Sequence, residues 1–227
     1  MTHGRVALQR AAQRFTGGDP DAGIDTRHAF SFSGFYDPDN VRFGPLAACN
    51  EERLAPGAGF AEHPHRDVEI VTWVVEGELT HEDSAGHRTV IRPGDLQRLS
   101  AGAGVRHSER NEGAGPLRFV QMWLTPRDFG GTPSYEVVRA LPERPYRLSG
   151  ADAVLHVRRP HGGDRPELPD APFLYVHVVR GRVRLAGEEL GEGDAARIQD
   201  AAGLTAEAAA GGAELLVWEM FAEPRFG

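Results

Sequence analysis

Lysine is absent from this chain: all 25 basic residues are arginine, against 33 acidic ones, giving a formal net charge of −8. The arginine bias fits a GC-rich coding sequence and carries no mechanistic weight. The acidic balance opposes attraction to a phosphate backbone, whose neutralisation needs clustered cations, so no nucleic acid is expected as direct ligand. Cysteine occurs once, at Cys49. No intramolecular disulfide can form, nothing points to an oxidising compartment, and a small buried hydrophobe is the reading for Cys49. No apolar run reaches membrane-spanning length. Between Met1 and Pro20, Arg5, Arg10 and Arg14 lie among polar residues with no apolar signal core, so a cytoplasmic location is expected.

What the chain does have is turns. Its 227 residues include 28 Gly and 16 Pro, scattered rather than blocked, with 40% hydrophobic and 26% charged content. That is enough for one large or two small cores, cut into many short segments, and it favours an all-β fold. Glu69 to Val75 reads EIVTWVV, rich in β-branched and aromatic residues, and stops at Glu76-Gly77. Further strands are expected at Thr89 to Ile91, Leu96 to Leu99 and Leu117 to Leu124. Turns separate them at Asp83 to Gly86, Pro93-Gly94-Asp95 and Ala101 to Gly104. Such spacing suits a sandwich or small barrel.

The breaker cluster Gly130-Gly131-Thr132-Pro133 precedes another expected strand from Tyr135 to Ala140, and two domains are expected, residues 1–130 and 131–227. The second half repeats the first in outline. Val74-Val75-Glu76-Gly77 is echoed by Val178-Val179-Arg180-Gly181, Pro93-Gly94-Asp95 by Glu192-Gly193-Asp194, and Gln121-Met122-Trp123 by Leu215 to Trp218. The offset is 104 residues from Gly77 to Gly181 and 99 from Asp95 to Asp194, as shortened hairpins would give.

Two short pairs of donors, one His-His and one His-Glu, carry the chemistry. His63-Pro64-His65 and, about forty residues on, His107-Ser108-Glu109 each place two donors at i and i+2, which share a face in an extended strand. Lining one interior, the four supply three imidazoles and one carboxylate. That mixed N/O set suits iron, manganese, nickel, copper or zinc, disfavours calcium, and leaves positions open on a six-coordinate ion. Glu69, four residues beyond His65, shares its face only if the strand stays regular.

The stretch from Gly57 to Asn111 resembles the cupin motif pair in the form found in pirins, through HPHRxxExVTxVxEG at His63 to Gly77, HxDSxG at His81 to Gly86, and PGDxQxxxAGxGxxHSE at Pro93 to Glu109. Weaker likeness runs through Phe43 to Leu46, Asn50-Glu51 and Pro133 to Glu136. The resemblance implies two cupin (jelly-roll-like) β-barrels packed face to face. It implies one divalent metal in the first barrel, iron(II) favoured, held by His63, His65, His107 and Glu109, with Glu69 kept as a structural or supporting residue. Carrying the repeat back lands on Glu167, Pro169, Ala206 and Ala208, so the second barrel is expected to lack ligands. His3, His28, His87, His156, His161 and His177 read as structural or solvated, and His81 as a hairpin or supporting residue.

The resemblance implies two kinds of function. In quercetin 2,3-dioxygenase chemistry, dioxygen opens the heterocycle of a flavonol with loss of carbon monoxide, and Glu109 is both ligand and candidate catalytic base. The alternative is a non-enzymatic metal or redox sensor that binds a protein partner. The enzyme, a monomer acting on a flavonol-like aromatic and dioxygen, is the expectation. Phe43, Trp73, Met122 and Trp123 are candidate pocket walls, though ordinary core suits each as well.

Overall fold

A computed structural model describes residues 4–141 and 144–224; His3 lies outside the described residues. Nearly all regular structure is strand: β1 (Arg5–Gln9), β2 (Phe15–Asp19), β3 (Ile24–His28), β4 (Leu46–Leu54), β5 (Gly59–His65), β6 (Glu69–Glu76), β7 (Leu79–Asp83), β8 (Arg88–Ile91) and β9 (Leu96–Ser100). There follow β10 (Val105–Arg110), β11 (Leu117–Leu124), β12 (Ser134–Val138), β13 (Tyr146–Leu148), β14 (Ala153–Arg158), β15 (Ala171–Leu185), β16 (Glu188–Leu190), β17 (Ala195–Ala201) and β18 (Ala206–Met220). The expected strands fall where the β-branched runs are. Gly77, at φ 78°, ends β6 in a backbone conformation that favours glycine.

The chain divides into two compact units, one of Phe15–Arg42 with Leu46–Pro142, the other of Met1–Arg14, Phe43–Pro45 and Glu143–Gly227. The first unit holds a seven-stranded sheet, ordered β12-β9-β6-β11-β4-β3-β2, and a four-stranded sheet, β5-β10-β7-β8. Every pairing within them is antiparallel. The second unit is built on a seven-stranded sheet, β1-β17-β15-β18-β14-β13, with β16 paired to β15. Both units are built from sheets, and the fold is all-β.

Alternation sorts the first unit's interior into layers. At one end Ile24, Leu54, Val74, Leu79, Ile91, Leu117 and Phe119 form an apolar cluster. At the other, Ile70, Leu99, Ala101 and Val105 form a second, with Trp123 and Tyr135 against it. The side chains two residues along the same strands are polar and buried: Glu52, Thr72, His81, Gln97, His107 and Gln121, with Glu109 two further along β10. A polar layer thus lies between two apolar ones on strands that span both.

The repeat is structural. Asp95 caps its own turn by accepting from the Arg92 amide (3.0 Å), then takes Arg139 Nη1 (2.6 Å) and the Ala140 amide (2.9 Å). Asp194 accepts the Gly191 amide (3.1 Å), Arg10 Nη1 (3.0 Å) and the Ala11 amide (2.8 Å). The two Arg-Ala pairs follow β12 and β1, which are edge strands on β9 and β17. In the second unit the corresponding interior is apolar: Ala206 sits in a cluster with Leu174, Val176, Val178, Ile198, Leu215 and Val217.

Candidate metal centre

β5 and β10 pair so that His63 lies opposite His107, and a register shift before Glu109, which faces Phe60, accommodates one extra residue on β5. Gly59 makes this approach possible, since a Cβ there would stand 2.5 Å from the Glu109 carbonyl oxygen. One donor atom from each of His63, His65 and His107 falls within 4.8 Å of the others, and a second such group joins His81, His107 and Glu109. The four residues singled out in the sequence are therefore drawn together in two overlapping groups that share His107. Glu69 belongs to neither. Its carboxyl accepts from Ser100 Oγ at 2.6 Å, and burial pushes it up from the ordinary carboxylate range.

Hydrogen bonding fixes which nitrogens are free. His63 Nδ1 donates to the Ala61 carbonyl at 2.8 Å, which leaves the Nε2 lone pair available. That Nε2 stands 3.1 Å from His107 Nε2. Two imidazole nitrogens each about 2.1 Å from one ion at about a right angle would be separated by about this distance. His65 Nε2 is buried and has no hydrogen-bond partner among the described residues. An orphaned imidazole nitrogen costs free energy unless something accepts its lone pair. Burial, aided by the neighbouring imidazoles, lowers His65 and His107 to about 4, so both are neutral, the ligating form, at neutral pH. These observations fit a bound divalent metal ion.

Behind this group the neighbours orient it. His107 Nδ1 lies 3.4 Å from His81 Nδ1, His81 Nε2 lies 3.3 Å from Asp83 Oδ2, and Asp83 also takes His87 Nδ1 at 2.8 Å. A carboxylate behind an imidazole fixes its tautomer and raises its basicity. Glu109 is met on both oxygens by amides, Gln97 Nε2 at 3.1 Å on Oε1 and Gln121 Nε2 at 2.7 Å on Oε2. Tyr135 donates to Gln97 Oε1 (3.1 Å) and Trp123 Nε1 to Gln121 Oε1 (3.0 Å), so the network settles which way each amide points. Burial pushes the Glu109 carboxyl up, but His107, the Gln121 amide and His81 outweigh it and hold it below the ordinary range.

A cavity of about 440 Å³ opens on His63, His65 and Glu109. Its apolar wall includes Phe32, Phe60 and Trp123, and its polar wall Asn50, Glu52 and Gln121. Trp123 packs edge-on to His65 (4.9 Å) and to Phe32 (4.9 Å), and Phe32 stacks on His28 (5.1 Å). Of the four candidate wall residues only Trp123 lines it. Trp73 and Met122 are core, and Phe43 packs on Phe173 in the other unit. Sequence reading missed Phe32, Glu52, Gln97 and Gln121. Glu52 and Asn50 share the inward face of β4 by alternation, a signal the sequence offered. His28, His87, His156 and His177 have hydrogen-bonding partners apart from the cluster: Asn50, Asp83, Glu219 and Arg14 respectively. His161 is solvated, with a side chain 95% exposed.

The family model described as pirin matches residues 8–124, and a second, described as the quercetinase C-terminal cupin domain, matches residues 151–220. A Mycobacterium tuberculosis protein named "Putative quercetin 2,3-dioxygenase" is 44% identical, over 96% of each chain. An Escherichia coli protein named quercetin 2,3-dioxygenase is 42% identical over about half of each, 50% of this chain and 49% of that one. Among solved structures, the bacterial pirin YhhW of Escherichia coli in complex with nickel(II) superposes with TM-score 0.87 at 28% identity, covering 96% of this chain and all of that one.

Proposed function

Because the chain belongs to the pirin family, we propose that its first unit is the active domain of a quercetin 2,3-dioxygenase. His63, His65, His107 and Glu109 hold one divalent ion there, iron(II) favoured over nickel, manganese, copper or zinc. The observation that carries this reading is the buried Nε2 of His65, without a partner among the described residues, beside the facing Nε2 atoms of His63 and His107, at the edge of an aromatic-walled cavity. When bound, the ion supplies Lewis-acid and redox assistance to the reaction of dioxygen with a flavonol.

This chain's own residues bind and orient the substrate. Phe32, Phe60 and Trp123 offer flat apolar surface to a planar ring system, and exclude water from it. Glu109 is the candidate base for the hydroxyl beside the substrate carbonyl. The amides of Gln97 and Gln121 hold its two oxygens in place, so proton transfer to either needs no reorientation of the side chain. A cytoplasmic monomer taking a small aromatic and dioxygen is the accompanying reading.

The test is dioxygen uptake and carbon monoxide release with quercetin, using iron-, nickel-, manganese- and copper-loaded protein. Consumption of quercetin's absorbance with stoichiometric gas exchange is expected from at least one form. A fully loaded protein inert in all four would instead favour a metal- or redox-sensing role through a protein partner.

A further inference from the structure

β4 turns Leu54, Glu52 and Asn50 inward and Glu51 to the other face, where Arg118 pairs with it at 3.1 Å. Among the described residues Glu52 has no such cation. It is 4% exposed, and among the described residues its carboxyl is met by one donor, Thr26 Oγ1, at 2.5 Å on Oε2. It lines the same cavity as His63, His65 and Glu109 but comes from the seven-stranded sheet, whereas the histidines come from the four-stranded one. The cavity thus has a nitrogen-rich wall and, on the other sheet, a separate carboxyl. A buried acid without a counter-ion is a cost to folding that a glutamine or leucine on this strand would avoid. Burial pushes the carboxyl up to about 8, with Thr26 opposing and the charges of Glu109 and Asp25 adding. At neutral pH it therefore carries its proton and can both donate and accept.

We propose that Glu52 is a specificity-determining residue that touches substrate, hydrogen-bonding a hydroxyl of the aromatic ligand remote from the oxygens that face the histidines. The cavity then prefers aromatics oxygenated at two separated positions over those carrying only a hydroxy-ketone edge. This rests on the flavonol reading above. A site built to hydrogen-bond a substrate hydroxyl penalises the analogue that lacks it, because its own buried group is left unpaired.

Nickel-loaded protein is titrated without oxygen with quercetin and with 3-hydroxyflavone, which keeps the hydroxy-ketone but lacks the other hydroxyls, and binding is read by tryptophan fluorescence. Wild type is expected to bind quercetin about 10-fold or more tighter. Glu52→Leu loses about 10-fold for quercetin and little for 3-hydroxyflavone, whereas Glu52→Gln, a neutral donor of the same shape, stays within about 3-fold of wild type for both. Metal content and a thermal melt check that each variant is folded and loaded, and Glu52→Gln keeps the test open should Glu52→Leu not fold. If Glu52→Leu leaves quercetin affinity unchanged, or weakens both ligands equally, the assignment of Glu52 is wrong while the flavonol reading stands. If wild type binds neither ligand, both are wrong.

Discussion

Replacing Gln121 by glutamate changes one atom of consequence. The Trp123 indole keeps its acceptor at the position of Oε1, and the side-chain shape is retained. The amide nitrogen that donates to Glu109 Oε2 at 2.7 Å becomes an oxygen. Two carboxylates at that distance cannot both be ionised in a buried layer, so the folded protein takes up one proton and the acid–carboxylate bond replaces the amide–carboxylate one. The cost at pH 7 is that of protonating a carboxyl with an unfolded pKa of about 4.3, or about 3.7 kcal/mol. The sign follows from linkage: the folded variant binds more protons than its unfolded chain, so the deficit relative to wild type grows by about 1.4 kcal/mol per pH unit above 4.3 and vanishes below it. Denaturant unfolding of metal-stripped wild type and Gln121→Glu from pH 4.5 to 7.5 measures this slope. A deficit that does not vary with pH, or is under about 1 kcal/mol at pH 7, would refute an ionised Glu109 clamped by that amide.

Three further outcomes follow from the same structure. His65 and His107 titrate at about 4 when folded, below the ordinary 6.5, so the unfolded chain binds more protons between those values. Metal-stripped protein is therefore expected to lose stability as pH falls from 6.5 to 4, which His65→Ala should lessen in denaturant melts. Arg118→Ala leaves the buried Glu51 carboxylate without the cation 3.1 Å away and should cost about 3–5 kcal/mol in the same assay, whereas Arg88→Ala, at an exposed pair with Glu82 and Glu112, should cost under about 1 kcal/mol. Gly59→Ala forces β5 off β10 and should lower metal affinity by about 10-fold or more in a chelator competition, with the second unit's melting unchanged.

How much of this was legible in the sequence depends on distance along the chain. β6 and β11 were readable because β-branched and aromatic residues fill them and a turn residue ends each neighbour, and the His-x-His spacing needed only strand alternation. The repeat was visible as turns, and its meaning became plain through Asp95 and Asp194, which make the same capping bonds. The clamp on Glu109 was not legible. Gln97 and Gln121 each lie twelve residues from it, on β9 and β11, and meet it only because β6 runs between them in one sheet while β10 lies in the other. Nothing local marks those glutamines. Phe32 reaches the cavity from the segment between β3 and β4, where no periodicity applies, through its contact with Trp123. Glu52 could have been suspected from the alternation of β4, but its lack of a cation is a tertiary fact.

In the proposed site His63, His65, His107 and Glu109 together hold one divalent ion. Elemental analysis of purified wild type and of His107→Ala, the histidine shared by both groups of donors, tests it most directly. About one transition-metal ion per chain is expected in wild type and near none in the variant, with the variant's second unit still folded. Equal metal content in the two proteins would contradict it.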